Sequence, residues 1–179
     1  MRQTRAVKLS HVPMFPDIRE LPWQAGIVDG EGTITITRQE RATRRSPAFR
    51  CCVSVTNTNP CLVAPFAQMW GGNVYHVVDT RKEKKWSDSY SWRCPDSIVV
   101  AFLSSICWFL RAKRENAEIV LEFCRTKKAY RRYHGSTRGA GRGGSAPLGQ
   151  TEIEHRERLK RRVQLLTSKS KVARIGGAL

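Results

Sequence analysis

The stretch Gln24-Ala25-Gly26-Ile27-Val28-Asp29-Gly30-Glu31-Gly32 constrains this chain more than any other. Pro22, a favoured first-turn residue, opens a helix expected to run through Trp23 to Asp29, where Gly30 and Gly32 end it. Ala25 and Gly26 remove side-chain bulk from that helix, so a partner backbone can approach closely. Asp29 and Glu31 then stand where unpaired carbonyls and the negative end of the helix dipole already disfavour anions. A bound divalent cation would remove that conflict. Directly afterwards Thr33-Ile34-Thr35-Ile36-Thr37 alternates strictly, which is the pattern of a strand with two different faces.

The rest of the chain repeats this alternation of helices and hairpins. Residues 48–56 form a second strand, with Phe49, Cys51, Val53 and Val55 on one side and Arg50, Cys52, Ser54 and Thr56 on the other. Together with the first strand it makes a hairpin across the basic loop 38–47. Asn59-Pro60 opens an apolar helix over 62–70 that stops at Gly71-Gly72. Residues 73–79 and 88–93 read as a second hairpin, Pro95 starts a helix to about Ile106, and 112–130 form a longer one. We read residues 1–16 as an N-terminal arm, 17–133 as one domain, 134–150 as a Gly-rich linker, and 151–179 as a basic helix and tail. Thr151 and Glu154 have capping-box spacing at the start of that last helix. The expected class is α+β, in the order α-β-β-α-β-β-α with further C-terminal helices and a four-stranded antiparallel sheet.

Charge narrows the partner. Lys and Arg total 32 against 15 Asp and Glu in 179 residues, a formal net charge of +17. The excess is uneven: residues 111–179 hold 18 basic and 6 acidic side chains, and the first 110 hold 14 and 9. Such an excess asks for a polyanion, and no apolar run approaches the length of a membrane span, so nucleic acid is expected and a membrane is not. The six cysteines include no C-x-x-C pair and no histidine at zinc-finger spacing. Several alternate with apolar residues, which suits buried reduced thiols. With no secretory signal in view, we expect an intracellular reducing compartment, cytoplasm or nucleoid or an organelle matrix, and not secretion.

The segment 24–32 resembles the nonapeptide that names the LAGLIDADG homing endonucleases, and the resemblance extends over roughly residues 20–130. Val55-Thr56-Asn57-Thr58-Asn59-Pro60 resembles the segment after that family's second strand. Gly71-Gly72-Asn73-Val74-Tyr75 resembles its approach to the third strand, and Phe109-Leu110-Arg111-Ala112-Lys113 the segment that brings a basic residue into the active site. Gln24 departs from the usual Leu, and the final acid is Glu31 where Asp is common. The resemblance implies a Mg²⁺-dependent cut in both strands of a long pseudo-palindromic DNA site, leaving short 3′ overhangs, with Mn²⁺ or Ca²⁺ able to substitute for binding. It makes Glu31 the metal ligand with the Gly30 carbonyl beside it, Lys113 a basic residue near the scissile phosphate, and Asn57 a polar residue ordering water. An Asn at 57 also suits a cap for the next helix. A single motif copy implies a homodimer, with Ala25, Gly26 and Asp29 at the seam; Asp29 also suits shaping the helix end.

Strand alternation supplies the recognition surface. Thr33, Thr35, Thr37, Arg50 and Ser54 from the first hairpin, and Tyr75, Asp79, Ser89, Ser91 and Arg93 from the second, are expected on one face, with Tyr90 and Trp92 buried behind it. Arg38, Arg41, Arg44, Arg45, Lys82, Lys84 and Lys85 belong to the hairpin loops and are expected to grip phosphates. The alternatives are an intron-splicing maturase that holds intron RNA on the same surface, and a catalytically silent DNA-binding protein.

Overall fold

The computed structural model describes residues 2–7, 17–40, 46–79, 87–134 and 148–176, with side chains described over 17–40, 46–78, 87–130 and 148–168. In chain order the elements are β1 (Arg2–Val7), α1 (Leu21–Glu31), β2 (Gly32–Gln39), β3 (Ala48–Asn57), α2 (Ala64–Trp70), β4 (Asn73–Asp79), β5 (Ser89–Arg93), α3 (Val99–Ile106), α4 (Arg114–His134) and α5 (Gln150–Gly176). Short 3₁₀ turns precede α1 and α2 and follow α3. The expected α+β class and both hairpins are present. The sheet has the order β1-β4-β5-β3-β2. Its first strand was expected as an arm: residues 2–7 pair antiparallel with β4, Arg2 opposite Asp79 and Val7 opposite Val74. An edge strand's unpaired N–H and C=O groups offer a ladder to any extended segment, which alternation within 1–16 does not reveal.

The chain packs as two compact units, one comprising the chain up to Ile34 and Cys52–Arg114, the other Thr35–Cys51 and the chain from Glu115 onward. The first is built around aromatic side chains. Phe102 meets Trp70 and Trp92 edge-on at 5.2 Å each, and Phe66 lies 5.2 Å from Trp92. Burying each of these rings contributes about 1.5–3 kcal/mol, and the Trp92 indole N–H also donates to the Gly71 carbonyl at 2.8 Å. Gly72 turns the chain here with φ +89°, where a Cβ would stand 2.7 Å from the Arg93 carbonyl oxygen. Only glycine fits that position.

The second unit packs Ile36, Phe49 and Cys51 of its strands, Ala117, Val120 and Phe123 of α4, and Leu159 and Val163 of α5, all buried. Arg156 is buried with them, bonded to Glu152 at 2.6 Å and lying over the rings of Phe123 and Tyr130. The Cys51 and Cys124 sulfurs stand 3.9 Å apart. Helix α5 starts one residue before the expected cap, with Ile153 N–H donating to the Gly149 carbonyl at 3.1 Å and Gln150 reaching Glu154 at 2.8 Å. No described helix is long and apolar enough to cross a membrane.

Candidate functional site

Helix α1 continues two residues further than its glycines suggest. Gly30 lies within the helix, and Gly32 caps it by donating its N–H to the Val28 carbonyl. At Gly32 a Cβ would meet the Val28 carbonyl oxygen at 2.5 Å, so the helix-to-strand junction requires glycine there. Gly30 therefore does not end the helix as expected, and no described atom stands within 4 Å of an added Cβ there.

The segment 111–113 closes over the end of α1. The two carboxylate oxygens of Asp29 accept from the Arg111 N–H at 2.7 Å and the Lys113 N–H at 2.9 Å. The Lys113 ammonium donates to the carbonyls of Val28 at 2.8 Å and Asp29 at 2.7 Å. A cation and two N–H donors thus complement the helix C-terminus, the favourable polarity for that end. The charge conflict at Asp29 is resolved inside the chain, with no metal needed. Asp29, half-buried, thus holds the 111–113 segment of its own chain. Glu31, one turn beyond Val28, is exposed, and among the described residues it has no hydrogen-bond or ion-pair partner.

The other expected site residues divide. Ala25 is 0% exposed and packs in its own core, whereas Gly26 is exposed, with no described atom within 4 Å of an added Cβ. The helical period explains the difference, since adjacent residues point about 100° apart. Asn57 accepts from the Asn59 N–H at 2.8 Å, and Asn59 from the Cys61 N–H at 2.9 Å, a stepped pair of turns leading into the 3₁₀ turn before α2. The side-chain oxygen of Asn57 therefore serves the backbone. Gln24, the departure from Leu, is fully buried: it accepts from the Trp70 indole N–H at 2.8 Å and donates to the Met69 sulfur at 3.0 Å.

On the strands, Thr33, Arg50 and Arg93 are exposed, and Thr35, Thr37, Ser54, Tyr75 and Ser89 are half-buried. The Arg93 guanidinium lies over the Tyr75 ring at 4.8 Å, and the Thr37 hydroxyl donates to the Arg50 carbonyl at 3.3 Å. Ser91 corrects the alternation: it is 8% exposed and bonded to the Thr56 hydroxyl at 2.9 Å, because β5 is flanked by strands on both sides. Trp92 is buried as expected, while Tyr90 is half-buried and stacks on His76, whose Nε2 lies 3.0 Å from the Asp88 carboxylate. Arg38 is held by Glu157 at 2.7 Å and by Glu40, so its charge serves the protein before any phosphate. Arg41, Arg44, Arg45, Lys82, Lys84, Lys85 and the side chain of Asp79 lie outside the described residues.

The donor chemistry at the end of α1 fits a hard cation in part. A carboxylate and nearby backbone carbonyls are oxygen ligands of the type magnesium takes. Among the described residues no three His, Cys, Asp or Glu side chains cluster, so Glu31 offers one arm of a cation site whose other oxygens would come from phosphate, water or a second chain.

Compared by sequence alone, the chain matches no family model and no curated protein. Compared by structure, it superimposes on the homing endonuclease I-CvuI in complex with the I-CreI target, with a TM-score of 0.58 and 18% identity over 83% of this chain and 82% of that one. It also superimposes on the archaeal intron-encoded homing endonuclease I-Vdi141I complexed with DNA, with a TM-score of 0.59 and 11% identity over 83% and 84% of the two chains. Both comparisons cover more than four fifths of each chain, and the structure has the LAGLIDADG homing endonuclease fold.

Proposed function

We propose that this chain is a site-specific DNA endonuclease that acts as a homodimer and uses Mg²⁺ bound through Glu31. The observation that carries the reading is the end of α1. Of its two acids, Asp29 is fully used by backbone donors, while Glu31 stands exposed without a partner among the described residues. An exposed carboxylate at a helix C-terminus is electrostatically unfavourable unless a cation visits it. Neighbouring structures support DNA binding with a divalent metal present: I-CvuI was crystallised with DNA in the presence of Mg, where the DNA was not cleaved, and in the presence of Ca.

Gly26 supports the seam. Among the described residues nothing requires a glycine there, and its exposed position would let a second α1 pack at backbone distance. Two Glu31 side chains would then meet the two DNA strands, each with a Lys113 ammonium held on the helix end beside it. Lys113 stabilises charge at the scissile phosphate, and the fixed 111–113 backbone keeps that ammonium from reorganising during the reaction. When bound, the metal polarises the phosphate and activates water for in-line hydrolysis. The exposed Thr33, Arg50 and Arg93, with Tyr75, Ser54 and Ser89, contact the major groove. Short 3′ overhangs and an intracellular, reducing site of action belong to the same reading.

Glu31→Gln tests it. The variant keeps size and hydrogen-bonding capacity but loses the anionic ligand, so with Mg²⁺ the cleavage of a plasmid carrying the target should fall by orders of magnitude while duplex binding persists or improves. Linearisation at the wild-type rate would refute the assignment.

A further inference from the structure

Strand β2 and helix α5 border a cleft of about 700 Å³ in the second unit that DNA cleavage as proposed does not use. Gln150, Ile153, Glu157, Arg161 and Leu165 line it at three- and four-residue intervals and so form one stripe along α5. The opposite side of the helix carries Arg156, Leu159 and Val163 into the core. The stripe is thus a surface, and it is not a uniform one.

The cleft has two acids, Glu154 and Glu157, against four cations; Glu154 accepts from the Gln150 amide at 2.8 Å, and Glu157 and two of the cations are engaged in ion pairs. Partial burial pushes the Glu157 carboxyl up, and hydrogen bonds from Arg38 and Lys160 outweigh this, holding it below the ordinary carboxylate range. Arg162 reaches Glu122 at 3.4 Å. Arg158 and Arg161 are different: both are exposed, three residues apart on one face, and have no carboxylate partner among the described residues. Beside them the wall is apolar, from Leu165, which is 61% exposed, and from half-buried Ile153 and Pro47. Guanidinium groups in excess of carboxylates, next to an apolar wall in a concave site, match a phosphate with a flat, weakly polar ring attached. A duplex presents only its phosphates to such a surface, because its bases are stacked inside; an unpaired strand can place its bases against Leu165 and on the guanidinium planes.

We propose that this cleft binds a single strand of nucleic acid, with phosphates on Arg158 and Arg161 and bases against Leu165 and Ile153. The cleft lies outside the Glu31 site, so its occupation and DNA cleavage are separable.

Fluorescence anisotropy with labelled short oligo-U and oligo-dT strands tests the proposal, each alone and in competition with polyglutamate and with unlabelled duplex DNA lacking the target. Wild-type full-length protein should bind the single strands, and R158A/R161A should weaken that binding by about tenfold and flatten its salt dependence by roughly 1.4 in log–log slope, two phosphate contacts at about 0.7 each. Duplex binding and plasmid cleavage should change little. L165A should also weaken single-strand binding, since base stacking contributes independently of charge. A preference for oligo-U over oligo-dT would identify RNA as the ligand, and the reverse preference single-stranded DNA; both support the proposal. Three results would overturn it: equal loss of duplex and single-strand binding in R158A/R161A, unchanged binding in L165A, or competition by polyglutamate as effective as by the strands themselves. Circular dichroism on each variant keeps a folding defect from being read as lost binding, and R158K/R161K, which retains charge, should keep most of the affinity.

Discussion

Replacing Asp29 by Ala should loosen the segment that carries Lys113 before it unfolds anything else. The side chain makes two charge-assisted bonds to backbone N–H groups, at 2.7 Å to Arg111 and 2.9 Å to Lys113. Such bonds are worth about 1.5–3 kcal/mol each. The Arg111 bond is exposed and the Lys113 bond partly buried, so water recovers most of the first and less of the second. A net loss of about 2 kcal/mol follows, or about 4–8 °C in Tm for a chain of this size. Asp29→Asn keeps one acceptor oxygen and turns an amide toward the other donor, so its loss should fall between Ala and wild type. Thermal unfolding by circular dichroism gives the stability, and amide hydrogen exchange at Arg111 and Lys113 gives the location. In Asp29→Ala those two amides should lose protection while amides in the aromatic core keep theirs. Because Lys113 would still be present but less well held, cleavage should drop less than in Lys113→Ala. Unchanged Tm together with unchanged protection at Arg111 and Lys113 would show that Asp29 does not hold this segment.

Gly26→Leu places a bulky side chain on an exposed helix position where no described atom lies within 4 Å of an added Cβ; the monomer should keep its stability, sedimentation should show a lower dimer content, and an unchanged dimer would move the seam elsewhere. Gln24→Leu strips the buried Trp70 indole N–H of its acceptor, which should cost about 1–3 kcal/mol, and pairing it with Trp70→Phe, which removes the donor as well, should recover part of that in denaturant unfolding. Glu157 has a folded pKa below its ordinary value of 4.5, so its contribution is present above that value and lost as pH falls through the folded pKa. The stability difference between wild type and Glu157→Gln should accordingly shrink below about pH 4, and a difference that grows on acidification would contradict the Arg38–Glu157 link.

The alternation at 33–37 and 48–56 put Ile34, Ile36, Phe49, Cys51, Val53 and Val55 on one buried face, as the structure has them. It could do so because a strand's two faces follow from a period of two, which is a property of neighbouring residues. The position of Glu31 at a helix-to-strand junction was readable from Pro22, the glycines and the alternation that follows, and the motif's importance from its resemblance to the family's nonapeptide. Ser91 defeated that logic: its alternation says exposed, but burial in a central strand depends on which strands and helices cover it. The strand at 2–7 was hidden likewise, since its partner lies about seventy residues away in the chain and only pairing makes it a strand. Ala25 and Gly26 read as one small-residue step, and the rotation of the helix sends the first into the core and leaves the second outside.

The resemblance already set Glu31 apart from Asp29; what surrounds each acid was decided by the tertiary structure. In the sequence Asp29 and Glu31 are two carboxylates on either side of Gly30. Their surroundings become different only when the backbone of residues 111–113 arrives with two N–H donors and an ammonium, satisfying one acid and leaving the other exposed. No local pattern encodes that meeting, because hydrogen bonds between residues more than eighty positions apart depend on how helices and strands pack, whereas propensity, periodicity and charge are read from neighbours.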